Sequence, residues 1–187
     1  MKIKLKAKNC LYPMPVVLVG ALVKGQPNYF TATHVGILGF NTLAVSMSKG
    51  HQTGIGIHEN KTFSVNLPSV DLVCEVDLCG MVSGRHADKA RLFETFYGDL
   101  KTAPMVQQCP LCMECRLVQT LDYPRHEVFI GEIAATHGDP KVMPNGVVDY
   151  ARVNPLLFVM EDKGYWQLGP RLATAWAAGK VVKHKLA

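Results

Sequence analysis

Apolar and polar positions along this chain follow two periods, and the two divide it into strands and short helices. Lys2-Ile3-Lys4-Leu5-Lys6-Ala7-Lys8 alternates strictly, which predicts a strand with one solvated face. Val16 to Val23 is an unbroken β-branched-rich run. Lys24-Gly25-Gln26-Pro27 is a turn signal ahead of Tyr29 to His34, so the two runs predict a hairpin. Thr42 to Met47 predicts a further strand. Thr53 stands where an N-cap would, before a short helix from Gly54 to Asn60 that its two glycines weaken.

Phe63 to Leu67 reads as a strand ended by Pro68. Helical spacing returns over about Asp71 to Leu78 and Ala87 to Phe96, with Ser83-Gly84 between them. Met113 to Leu121 and Glu127 to Thr136 predict a hairpin turning near Tyr123-Pro124-Arg125. Leu156 to Met160 and Tyr165 to Leu168 predict a last pair of strands, and Arg171 to Ala187 a helical tail. Many strands with a few short helices, in no regular βαβ alternation, point to a mainly β fold: a barrel with helical decoration. No repeat, low-complexity segment or domain boundary interrupts residues 1–187, which read as a single domain.

Composition changes this picture little. An apolar fraction of 48% and a charged fraction of 19% are those of an ordinary globular chain and exclude disorder. The net charge of +5 comes largely from Lys2, Lys4, Lys6 and Lys8 and from Lys180, Lys183 and Lys185, so it marks no internal nucleic-acid patch. Val16 to Val23 falls far short of the ~20 residues of a spanning helix, and the lysine-alternating start lacks the apolar core of a signal peptide. A cytoplasmic protein with six reduced cysteines and no membrane or nucleic-acid partner is the expectation.

Several polar groups are spaced to converge on an anion. Ser46 and Ser48 are two apart and share a strand face. Lys49 follows them, and Thr53 opens a helix, where a hydroxyl and free backbone N–H groups come together; read alone, Thr53 is an N-cap. Ser83, Gly84, Arg85 and Lys89 form a second cationic set, with Arg85 and Lys89 on one face if a helix has begun by Arg85; read alone, they are a solvated cap. Asn66, in Phe63-Ser64-Val65-Asn66-Leu67-Pro68, is equally a strand-end turn former or a ligand contact. Cys109, Cys112 and Cys115 match the opening of a ferredoxin ligand run, but Gln119 stands where the fourth cysteine belongs. That segment also alternates as a strand, so a metal is not expected. Gly54-Ile55-Gly56 lacks the third glycine of a dinucleotide fold, Ser46-x-x-Lys49 and Ser64-x-Asn66 lack the Lys-Thr-Gly of a penicillin-binding site, and His58-Glu59 lacks the second histidine of a zinc protease.

The order and spacing of Asn28-Tyr29-Phe30-Thr31-Ala32-Thr33, Ser46 to Thr53, Phe63 to Pro68 and Cys79 to Lys89 resemble the flavin reductase-like family. Within it the match is to the flavoredoxin branch of FMN-binding split barrels, and it extends from Pro13 to Gly169. The resemblance implies a six-stranded antiparallel Greek-key barrel with helical decorations, forming a homodimer with FMN near the interface. It also implies that Ser48, Thr53 and Lys89 hold the FMN phosphate, and that Asn28, Thr31, Ala32 and Thr33 line the flavin ring. Electrons would pass through FMN from NAD(P)H or a protein redox partner. Because the cofactor carries that chemistry, no catalytic acid or base is expected. The family often has an aromatic residue near His34, where this chain has histidine.

Overall fold

The computed structural model describes residues 1–186. Its strands are β1 (Met14–Pro15), β2 (Val17–Val23), β3 (Gln26–Ala32), β4 (Val35–Gly39), β5 (Thr42–Ser48), β6 (Thr62–Leu67), β7 (Thr95–Phe96), β8 (Met105–Val106), β9 (Leu111–Asp122), β10 (His126–Gly138), β11 (Leu157–Val159) and β12 (Gly164–Trp166). Its α-helices are α1 (Gln52–Asn60), α2 (Val73–Met81) and α3 (Tyr150–Val153). One antiparallel sheet runs β3-β2-β6-β9-β10-β5-β4; β1-β11-β12 and β7-β8 form two smaller sheets. Seven strands therefore share the main sheet where the sequence predicts six, β4 being the addition.

The unbroken apolar run of β2 follows from burial on both faces of that sheet, since neighbouring side chains point to opposite sides. Val17, Val19 and Ala21 enter one core, with Ile57 of α1, Phe63, Met47 and Phe129. Val16 and Leu18 enter the other, with Tyr29, Val76 and Cys79 of α2, and Phe93. The two helices thus lie over opposite faces of β2. The start of α1 and the end of α2 meet beside β3, the last strand of the sheet.

Four expectations change. Lys2–Lys8 is irregular and exposed, with Lys8 Nζ 2.7 Å from Glu161 as an outlying tie; its alternation finds no neighbouring strand to complete it. Ala87–Phe96 is not a helix. Asp88 accepts from Ala90 N (3.2 Å) and starts only a 3₁₀ turn, Lys89–Leu92, before β7. No helix has begun at Arg85, so Arg85 and Lys89 are not related by helical spacing. The tail forms a 3₁₀ segment over Ala178–Leu186, and Ala187 lies outside the described residues. Among the described residues no helix is long and apolar enough to cross a membrane.

Candidate functional site

A cavity of about 450 Å³ opens between the start of α1 and the loop that follows α2. Asn28 and Phe30 of β3 form one wall, Lys49 to Thr53 a second, and Cys79 to His86 with Lys89 a third. Among the described residues its lining holds Lys49, Arg85, Lys89 and two histidines, and no carboxylate. The lining is therefore positively charged.

The second wall belongs to a helix start. His51 occupies the N-cap with extended backbone (φ −64°, ψ 138°), and its side chain makes no cap hydrogen bond. The opening N–H groups of α1, at the positive end of the helix dipole, are left for another acceptor. Thr53 is therefore not the cap. It lies inside the helix, 1% exposed, and its Oγ1 accepts from Asn28 Nδ2 at 2.7 Å, tying α1 to β3. Gly84 packs over the same asparagine so closely that a Cβ would lie 2.1 Å from Asn28 Oδ1. Gly50, at φ 88°, makes the left-handed turn that separates β5 from α1.

Lys89 is the floor. It is 5% exposed, and its Nζ donates to Cys79 O at 2.9 Å and Val82 O at 3.2 Å, the carbonyls that α2 leaves unpaired at its end. An ammonium has three protons, so one remains. No carboxylate pairs with this lysine among the described residues. Burial lowers its pKa from the ordinary value, with the Cys79 thiol opposing. Cys79 answers in kind, its thiol pushed up to about 11 by burial against the pull of Lys89. Above the floor, Arg85 Nη2 donates to Gly50 O at 3.1 Å and its backbone N to Ser83 Oγ at 3.3 Å, joining the two loops across the opening. Lys49 is ion-paired with Asp122 at the cavity edge.

The remaining candidates lie elsewhere. Thr31 donates to Val76 O at 2.5 Å, and Ala32 is core. Thr33 and Ser46 line a separate cavity of about 320 Å³, with His34, Val35 and Leu11. Ser48 Oγ is 3.2 Å from His126 Nε2 on the exposed end of β5. Asn66 is fully buried. Its Nδ2 donates to Leu18 O and Ser64 Oγ, both at 2.9 Å, and its Oδ1 accepts from Val106 N at 3.0 Å. Those bonds use both amide hydrogens and join β2, β6 and β8, so the full burial of Asn66 has a structural explanation. Lining residues that were not sequence candidates include Phe30, Gly50, His51, Gln52, Val82 and His86, besides Cys79 to Met81 at the end of α2; placing the helix start one residue after His51 would have drawn attention to that histidine.

The cysteines divide by face of the sheet. Cys109 and Cys112 line a third cavity beside His137, while Cys115 enters the core that contains Phe63. Burial pushes the thiols of Cys112 and Cys115 up to about 12, which is the behaviour of small buried hydrophobes. No group of three or more His, Cys, Asp or Glu among the described residues is placed to hold a metal ion.

A mainly β antiparallel protein with a cation-lined cavity at the edge of its sheet is the class that fold and site define. The chain belongs to the flavin reductase-like domain family, whose model matches residues 9–165. Among solved structures it is similar to the flavoredoxin of Methanosarcina acetivorans, with 43% identity over 97% of this chain and 99% of that one and a TM-score of 0.94. It is similar also to the flavoredoxin of Desulfovibrio vulgaris (Miyazaki F), with 31% identity, 96% and 100% coverage and a TM-score of 0.89. A Shewanella frigidimarina protein with a split barrel domain shares the fold at 16% identity, 88% and 87% coverage and a TM-score of 0.78. The split-barrel class expected from the sequence is the class found.

Proposed function

We propose that this chain is a flavin-binding electron-transfer protein, that its flavin is FMN, and that the FMN phosphate is held in the cavity between α1 and α2. The observation that carries the reading is a nearly buried lysine with no carboxylate partner, facing an uncapped helix start across that cavity. Either feature alone has a structural explanation; together they make one positive site suited to an anion. Family membership and the similarity to two flavoredoxins support the flavin.

In this reading the N–H groups opening α1 donate to the phosphate oxygens, Lys89 supplies charge from beneath, and Arg85 closes the mouth. Asn28 and Thr53 act through each other: their hydrogen bond holds β3 and α1 at a fixed separation. Thr33 remains a candidate for the ring, and Ser46, expected from the sequence at the phosphate, lines the same second cavity beside His34. FMN when bound supplies the redox chemistry; the chain binds, orients and shields it. We propose NAD(P)H as electron donor. The similarity to flavoredoxins favours a second reading, in which the protein carries electrons between protein partners. We further propose a homodimer and a cytoplasmic location.

Two measurements test this. Flavin released by denaturation should chromatograph as FMN; recovery of FAD alone, or failure of apoprotein to take up any flavin, ends the FMN reading. Stopped-flow bleaching by NADH or NADPH at about 1–10³ per second supports the reductase. Bleaching over many minutes, with fast reduction by a protein fraction, supports the carrier.

A further inference from the structure

We propose that His51 contacts the phosphate directly, and that through it the cavity selects a flavin bearing a terminal phosphate monoester over the unphosphorylated flavin. This rests on the functional reading above. An N-cap side chain ordinarily occupies the free N–H groups of its own helix, but His51 does not. Its ring is held instead by two contacts. Nδ1 lies 2.9 Å from Ser48 O, and the ring packs on Phe30 with centroids 4.4 Å apart and planes inclined by 39°. A carbonyl only accepts, so Nδ1 carries the hydrogen and Nε2 is the free nitrogen. Nε2 has no hydrogen-bond partner among the described residues, and the ring lines the cavity.

A phosphate monoester satisfies that nitrogen in either protonation state. A protonated Nε2 donates to a phosphate oxygen; an unprotonated one accepts from a phosphate hydroxyl. The second ionisation of such a phosphate falls near pH 6, so close to neutrality the phosphate can offer either a bare oxygen or a hydroxyl. The groups that face this position are Lys49, Arg85, His86 and Lys89, with no carboxylate in the lining to compete for the imidazole. Riboflavin offers no charge to this corner, so the bond it loses is a charge-assisted one.

The test uses full-length apoprotein, as wild type, His51→Phe and His51→Gln, titrated separately with FMN and riboflavin. The expected result is a roughly tenfold or greater loss of FMN affinity in His51→Phe, the size of a charged hydrogen bond, with riboflavin affinity unchanged. His51→Gln should recover much of the loss, because its amide can donate from the same place. The phosphorus resonance of bound FMN should shift in His51→Phe. An equal loss for both flavins would make His51 a structural support for Phe30 and overturn the inference, as would an unaltered affinity ratio and phosphorus resonance. Those outcomes leave the FMN reading standing, whereas a wild-type protein that binds neither flavin removes both.

Discussion

Lys89 places a charge where little water reaches it, and pH is the way to see it. Burial lowers its pKa below the ordinary 10.5, so between the lowered and the ordinary value the unfolded chain binds more protons than the folded one. The stability this group contributes therefore rises with pH through that window, opposite to a lysine paired with a carboxylate. A phosphate bound beside it favours the charged form, so FMN affinity should fall as pH rises through the same window. Lys89→Met, which keeps the volume of the buried stem, should weaken FMN by ten- to a hundredfold at neutral pH, from a charged hydrogen bond of about 1.5–3 kcal/mol. It should also flatten the alkaline decline. Titrating apoprotein with FMN from neutral pH to about pH 10 measures both; a variant with wild-type affinity and slope would take Lys89 out of the phosphate site. The residue was legible in the sequence as a cation after a Ser-Gly turn, but its reason was not. Helical spacing predicted a surface pair with Arg85, while the folded chain draws Lys89 under the end of α2 to satisfy two carbonyls. Asn66 shows the converse: a polar residue at a strand end reads as a ligand contact until its amide is seen to tie β6 to β2 and β8.

At the scale of elements, hydrophobic periodicity located the strands that pair locally, and failed where pairing decided the outcome. The hairpins β2-β3 and β9-β10 carry their own turn signals between the strands that pair. The Lys2–Lys8 alternation is as regular, yet no strand lies beside it, and a strand without a partner leaves its backbone groups to water. The glycines of α1 are the clearest case of information held only in packing. By propensity both weaken the helix by about 1 kcal/mol relative to alanine. A Cβ on Gly56 would lie 2.2 Å from Leu22 O, a backbone atom of β2, whereas one on Gly54 would make ordinary contact with Met47 Sδ at 3.4 Å. Gly56→Ala should therefore destabilise the protein by about 1–3 kcal/mol or more, the cost of overpacking, while Gly54→Ala should be neutral or stabilising by up to about 1 kcal/mol. Denaturant melts of the two variants separate them. Equal effects would mean that α1 does not rest on β2 as described.

At the scale of the whole molecule, the sheet ends in an edge that no described residue covers. Among the described residues β4 is bonded only to β5, and in β4 and the turn after it Ile37 is 90% exposed, Leu38 58% and Phe40 fully exposed. A bare apolar edge strand invites pairing with another chain, and clustered exposed apolar side chains of this kind mark interaction surfaces. Val35 and Gly36 of the same strand line the second cavity with Thr33 and Ser46, so a copy of the chain seated on β4 would also enclose the candidate ring site. Wild-type protein should sediment as a dimer. Ile37→Lys combined with Phe40→Lys should sediment as a monomer and bind FMN more weakly, because the ring site loses its far wall. Both positions are open to solvent in the single chain, so each change should alter the stability of the subunit itself by no more than about 0.5 kcal/mol, and the circular dichroism should stay that of a folded β protein. Weakened FMN binding in a variant that remains dimeric would place the interface elsewhere. A wild type that sediments as a monomer with FMN bound would show that one chain completes the site alone.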